Sequence, residues 1–234
     1  MKERIYTIPV NEAFDHPDGC PFCKLYAKLE NDELDIILGA SMMEPEIRIA
    51  TNEQGFCNRH YHRMFEMKNR LGLGLMLESH LGALKKELSA GNVFSRDIAA
   101  KSVSRVERLE KDCYVCGRIA SKIGKMFETA AYLYDEERDF RGKFDEVKYF
   151  CLPHYKMYLE AGRGVLGKES YNAFAKAVIA KNSGYLATLS EEVSWFCKKF
   201  DYRYEAEPWG NSRDSVERAI RFLGGENALP QSKK

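Results

Sequence analysis

Cys20-Pro21-Phe22-Cys23 is followed, after 33 residues, by Cys57-Asn58-Arg59-His60; Cys113-Tyr114-Val115-Cys116 is followed, after 34, by Cys151-Leu152-Pro153-His154. Corresponding positions of the two sets are offset by 93 or 94 residues, the signature of an internal repeat. Six of the seven cysteines fall into this pattern and only Cys197 stands outside it. Random scatter of so few Cys and His yields about 0.2 CxxC and about 0.15 CxxH pairs, so two of each is a coincidence on the order of 1 in 10⁴.

The chemistry that uses this layout is a closed tetrahedral zinc site with three thiolates and one imidazole. An i, i+3 pair on one helical turn supplies two donors and a distant pair supplies the other two. The spacing predicts two zinc ions per chain, each clamping helix starts within one copy: Cys20, Cys23, Cys57 and His60 in the first, Cys113, Cys116, Cys151 and His154 in the second. Four protein ligands leave no open position, so both sites read as structural. The competing readings are buried thiols, disulfides and redox-active dithiols. A thioredoxin-like CxxC belongs in a βαβ setting, whereas helical periodicity dominates here and each CxxC has a CxxH companion.

Composition sets the frame. The chain has 234 residues, 44% of them hydrophobic, with 36 basic and 35 acidic side chains and a net charge of +1. A chain of this length builds a core without staples, so the cysteines need their own explanation. Balanced charge argues against holding nucleic acid by bulk electrostatics. The apolar run Leu71 to Leu77 is far too short to span a bilayer, so no membrane insertion is expected. The stretch MKERIYTIPVNEAFDHPDG lacks a secretory apolar region, from which a cytoplasmic chain with reduced thiols is expected.

Phe22, Leu25, Tyr26, Leu29, Leu34, Ile37 and Leu38 keep the stripe of an amphipathic helix that Gly39 ends. Pro45 and the alternation of Ile47 and Ile49 read as an extended return stretch. A helix then carries Tyr61, Met64 and Phe65 and continues through Leu77, Leu81, Leu84 and Leu88 to a stop at Gly91-Asn92, weakened at Gly72 and Gly74. In the second copy, a helix from about 93 to 110 leads into one through Ile119, Ile123, Met126 and Phe127. DEERDFRGKFDE reads as a charged connection. Tyr155, Met157, Tyr158 and Leu159 follow His154. A long helix spans about 168 to 202, and a last one runs from Ser212 to Leu223, with Asn211 or Ser212 as N-cap and Gly224-Gly225 as stop. The last nine residues read as frayed. The fold class is mostly α: a helical protein built from two zinc-clamped repeats, residues 1–92 and 93–205, with short extended segments near the metal and a C-terminal helix and tail over 206–234.

KERIYTIPVNEAF, CPFC, SMMEPEIR, GFCNRH with NRLGLGLMLESHL, CYVC and YFCLPH together give a chain that resembles an uncharacterised bacterial family catalogued only as a domain of unknown function. The resemblance covers about residues 1 to 205, holds at all eight expected ligands, and implies no activity.

Other features have blander readings. Gly162-Arg-Gly-Val-Leu-Gly167-Lys168 matches GxxxxGK, but a helical stretch precedes it and Glu169 stands where a P-loop needs Ser or Thr, so an interhelical turn is preferred over nucleotide binding. Arg59, Arg63 and Arg70 share a helix face that could meet nucleic-acid phosphates; with Glu66 among them, a solvated face is preferred. His16 and His62 lie close enough to the motifs to replace or support a ligand. His80 reads as a partly buried polar residue, since no catalytic partner accompanies it. Cys197 reads as a buried small hydrophobe. The Tyr149, Phe150, Tyr155 and Tyr158 aromatics read as core around the second site. The expected function is a non-enzymatic scaffold or regulator that binds a protein partner. Thiol-redox or zinc-responsive chemistry is the alternative, and a nucleic-acid or nucleotide module the third.

Overall fold

The computed structural model describes residues 5–15, 18–89 and 98–226. Among them there are eleven α-helices and three short 3₁₀ turns, with no strand, in agreement with the mostly α expectation. The helices are α1 Thr7–Phe14, α2 Pro21–Leu38, α3 Pro45–Gln54, α4 Asn58–Glu66, α5 Arg70–Leu88, α6 Ile98–Lys111, α7 Tyr114–Glu136, α8 Arg138–Glu146, α9 Leu152–Val165, α10 Lys168–Lys198 and α11 Ser215–Gly224. The chain forms two compact units, residues 1–27 with 123–234, and residues 28–122. These units are not the sequence repeats: each takes a segment from both, and their boundaries fall inside α2 and α7.

The core of the first unit is aromatic. Phe14, Phe22, Phe127, Phe140, Phe144, Phe150, Tyr158 and Phe174 are all at most 1% exposed. Phe22, from the first CxxC, lies 4.0 Å from Phe127 and 4.8 Å from Tyr158 between ring centroids, and Tyr158 meets Phe174 edge to face at 4.8 Å. Such pairs add about 0.5–1.5 kcal/mol each beyond the area they bury. The charged segment DEERDFRGKFDE is not a connection: it ends α7 and forms α8, because Phe140 and Phe144 at i, i+4 give α8 one fully buried face. Residues 147–150 carry no regular structure. Asn182, buried in the middle of α10, clamps that stretch: its Oδ1 accepts from the Phe150 N–H at 3.0 Å and its Nδ2 donates to the Phe150 carbonyl at 2.7 Å.

Gly162 and Gly164 lie within α9, so the GxxxxGK match is not a phosphate loop. Gly162 is there for packing: a Cβ on it would sit 2.4 Å from the Phe174 ring, whereas one on Gly164 would meet nothing. At the other end of α10, Lys199 is 8% exposed and its ammonium donates to the carbonyls of Tyr204, Glu205 and Glu207, fixing the loop that leads to α11. That last helix starts at Ser215 after a 3₁₀ turn at Gly210–Ser212, later than expected from an Asn211 or Ser212 cap, and ends at Gly225 with φ +88°. Cys197 is exposed, not buried: it falls on the outward side of α10 while its neighbours Trp195 and Phe196 are half-covered.

In the second unit, Leu34, Ile37, Leu38, Met64, Leu73, Met76, Val115 and Ile119 form an aliphatic core. The expected extended stretch after Gly39 is instead a 3₁₀ turn and α3, since Pro45 occupies the first helical position, where its missing N–H costs nothing. Arg48 ties α3 to α5 through the Leu75 carbonyl, and Asn52 does so through Ser79. Arg105 and His80 cap the end of α3, both on the Asn52 carbonyl, with Arg105 also on Glu53. His80 is thus a buried polar residue, and burial keeps its charged form disfavoured. The helix expected to run on from His60 breaks at Lys68, whose φ is +63°. Asn69 restarts it: its Oδ1 accepts from the Gly72 N–H and its Nδ2 donates to the Leu38 carbonyl. Gly72 allows that approach, for a Cβ on it would lie 2.6 Å from the same carbonyl. The expected stop at Gly91-Asn92, residues 93–97 of the expected lead-in helix, and the tail from 227 fall outside the described residues.

Gly162→Ala forces a methyl group against Phe174 and is expected to cost about 1–3 kcal/mol. Gly164→Ala in the same helix is expected to be neutral or to stabilise by up to about 1 kcal/mol. Chemical denaturation of the two variants beside the parent chain checks the contrast.

Candidate metal centres

The eight expected ligands do come together in two groups of four, but in exchanged combination. Cys20, Cys23, Cys151 and His154 form one cluster in the first unit; Cys57, His60, Cys113 and Cys116 form the other in the second unit. Each CxxC is joined by the CxxH of the other repeat, and the pairing within repeats is wrong. Local geometry explains why the pairs themselves were readable. Cys57 and Cys151 are the N-cap residues of α4 and α9, with ψ of 162° and 150°, and His60 and His154 sit one turn in. Cys20 and Cys113 immediately precede α2 and α7, with Cys23 and Cys116 in their first turns. Each cluster therefore gathers two helix N-termini, whose partial positive charge favours anionic thiolates.

What chooses the combination is tertiary. In the second unit, the Tyr114 N–H donates to the Gly55 carbonyl at 3.1 Å, drawing the start of α7 to the stretch that leads into α4. Gly55 has φ +63°, and a Cβ there would lie 2.9 Å from Leu109. In the first unit, the aromatic core joins Phe22 beside Cys23 to Phe150 beside Cys151, with ring centroids 5.7 Å apart.

The donor separations fit a metal ion. With Zn–S about 2.3 Å and Zn–N about 2.0–2.1 Å, a regular tetrahedron has S···S edges of about 3.8 Å and S···N edges of about 3.5–3.6 Å. His154 Nδ1 lies 3.6, 3.4 and 3.2 Å from the sulfurs of Cys20, Cys23 and Cys151, and the Cys23 and Cys151 sulfurs are 3.6 Å apart. His60 Nδ1 lies 3.3, 3.2 and 3.4 Å from those of Cys57, Cys113 and Cys116, and the Cys57 and Cys116 sulfurs are 3.9 Å apart. No cysteine is in a disulfide among the described residues. Both clusters could hold a metal ion.

The thiols of each cluster differ in how readily they ionise. Hydrogen bonds from Cys20 and Cys23 hold the Cys151 thiol down at about 4, while burial and the neighbouring thiols push Cys20 well up. Burial opposes ionisation of Cys113, but the His60 hydrogen bond outweighs it and brings the thiol to about 6. Burial and the Cys113 charge drive Cys116 up to about 12.

The surroundings of the two clusters differ. His60 presents its other nitrogen, Nε2, to Glu30 Oε1 at 3.1 Å, and Glu30 is 2% exposed. Burial opposes the Glu30 charge, but His60 and Arg59 overcome it and lower its pKa. This is the carboxylate–histidine arrangement that orients a metal-bound imidazole. Arg59 and Arg63 both reach Glu30, and Arg70 instead lies on α5, 3.3 Å above the Phe65 ring, so the three arginines do not form one basic face. Glu33, one turn further along α2, is fully buried against Arg118 and Lys122, which hold its pKa down against the burial cost. Among the described residues His154 Nε2 has no carboxylate partner. Its cluster is instead covered by the C-terminal segment, where the Glu226 N–H donates to Cys23 Sγ at 3.5 Å. A Cβ on Gly225 would stand 3.5 Å from the Cys23 sulfur and 3.6 Å from that of Cys151. His62 is exposed and outside both clusters, and His16 falls outside the described residues. Glu30 and the Gly225-Glu226 cover were not legible in sequence, because neither stands at a motif spacing.

Glu30→Ala leaves the buried His60 ring without its orienting acceptor. Affinity of the second cluster for zinc is expected to fall about 10–100-fold, with the first unchanged, as read by competition with a chromophoric chelator.

No curated protein and no solved structure matches the chain. A family does, over residues 1–229, in keeping with the resemblance carried by the CPFC, GFCNRH, CYVC and YFCLPH motifs. The chain belongs to the family of unknown function DUF6062.

Proposed function

We propose that this is a zinc protein whose two Cys₃His centres are structural and hold a helical scaffold for binding a protein partner. The observation that carries the reading is the donor geometry: in each cluster three sulfurs and one imidazole nitrogen lie within 4.8 Å of one another, close enough to share one ion. Soft thiolates with one imidazole suit zinc over the harder divalent ions. Four protein donors fill the coordination sphere, which suits a clamp better than a catalytic ion that must keep one position for substrate. Zinc bound there would neutralise most of the thiolate charge and fasten pairs of helix N-termini. The partner reading draws on exposed aromatic surface: Phe200 and Tyr202, 75% and 85% accessible, stand on the loop that Lys199 fixes from inside. Exposed aromatics held on a rigid support suit a protein contact.

Elemental analysis of the purified chain is expected to find two zinc ions. Cys23→Ser and Cys151→Ser each leave one, and so does the double variant, because both remove donors from the same cluster. Cys23→Ser combined with Cys57→Ser leaves none. Chelation is expected to lower Tm by more than about 10 °C. A zinc-free chain overturns the reading, and a Cys23→Ser, Cys57→Ser variant that keeps one ion overturns the exchanged pairing.

A further inference from the structure

Identical donor sets are built into unlike surroundings. In the first cluster Cys20, Cys23 and Cys151 are 1%, 4% and 0% exposed, and the Gly225-Glu226 segment lies over two of the sulfurs. In the second cluster Cys113 is buried, Cys57 is half-buried, and Cys116 is the most exposed of the three. Cys116 occupies the first turn of α7, where the preceding Cys113, Tyr114 and Val115 turn inward and Cys116 and Gly117 turn out. Its sulfur is 3.9 Å from that of Cys57, across α4 and α7 and not along one helix. Cys197 is a further accessible thiol, but it belongs to neither cluster.

We propose that the second cluster is a peroxide-responsive modification site, in which Cys116 is oxidised first, Cys57 resolves it as a disulfide, and the zinc ion is released while the first cluster keeps its own. The inference rests on the zinc reading above. Metal coordination holds a thiol ionised, so access decides which sulfur meets a small hydroperoxide. The Cys116 thiolate attacks the peroxide: an S–O bond forms, the O–O bond breaks, and hydroxide leaves. The Cys57 thiolate then attacks the Cys116 sulfur: an S–S bond forms, the S–O bond breaks, and a second hydroxide leaves. The two sulfurs together lose two electrons, hydrogen peroxide gains them, and two protons from solvent complete two waters. The sulfurs must close from 3.9 Å to about 2.05 Å. Cys113 and His60 remain, two donors where four held the ion. In the first cluster the same reaction requires peroxide to reach sulfurs that the aromatic core and the C-terminal segment cover.

The test uses the zinc-loaded chain with Cys197→Ser, which removes the unrelated accessible thiol. Hydrogen peroxide in small excess is added, zinc release is followed with a chromophoric chelator, and cysteines are mapped by differential alkylation and mass spectrometry. One of two zinc ions is expected to leave at least tenfold faster than the other, with a Cys57–Cys116 disulfide, and dithiothreitol with zinc restores the starting state. Cys116→His, which keeps a zinc donor, is expected to slow that release at least tenfold. Equal release from both clusters, no release, first oxidation at Cys20, Cys23 or Cys151, or unchanged release in Cys116→His each overturns the inference and leaves structural zinc standing. A chain isolated without zinc overturns the structural reading itself.

Discussion

The exchanged ligand pairing is the constraint on which the rest of this fold depends. It joins Cys23 to Cys151 across 128 residues and His60 to Cys113 across 53, the shorter closure nested within the longer. Pairing within a repeat would have closed only 34 residues, from Cys23 to Cys57. Lengthening the outer loop from that value to 128 residues costs about 1.2 kcal/mol by the logarithmic loop law. That is small, and a metal held by three cysteines and one histidine would contribute alike to either pairing. Chain entropy therefore favours pairing within repeats too weakly to decide it, and packing decides.

The packing that decides is different in the two units. In the first, the residues between and beside the ligands are themselves core: Phe22 lies between Cys20 and Cys23, Phe150 precedes Cys151, and both meet Tyr158 in one aromatic group. Donor placement and core formation are the same event there, and the Asn182 clamp on the Phe150 peptide fixes the approach to Cys151. In the second unit the aliphatic core leaves orientation to polar contacts. The Tyr114 to Gly55 hydrogen bond sets the two helix starts side by side, and Glu30 turns the His60 ring so that Nδ1 faces the sulfurs. Glu30 in turn needs its arginines, because an isolated buried carboxylate would carry a desolvation cost of several kcal/mol.

This division explains what the sequence carried and what it did not. The eight donors were legible because cysteine and histidine are scarce and the i, i+3 spacing is dictated by one helical turn. Their combination was not, because two identical CxxH pairs offer identical local chemistry to either CxxC. The α3 helix was misread since alternating Ile47 and Ile49 imitate a strand, while Pro45 acts as a helix start that its position alone does not announce. In α8, six charged residues concealed the Phe140 and Phe144 pair that makes it a buried-face helix. Cys197 was misplaced because apolar neighbours in sequence do not share a face at 100° per residue.

Equal donor sets also do not imply equal chemistry. The cover over the first cluster comes from Gly225-Glu226, 203 residues along the chain from the Cys23 sulfur it meets. Gly225 combines a left-handed φ of +88° with two sulfurs at contact distance from any Cβ, so a larger residue there would meet both backbone strain and the thiols. The second cluster has a buried carboxylate behind its histidine and, in Cys116, the most exposed cysteine of the two clusters. Orientation of the imidazole raises the strength with which a metal is held; exposure of a thiolate governs how readily it is attacked. The second cluster has both properties and the first has neither, and repetition of the motif conceals that difference until the chain is folded.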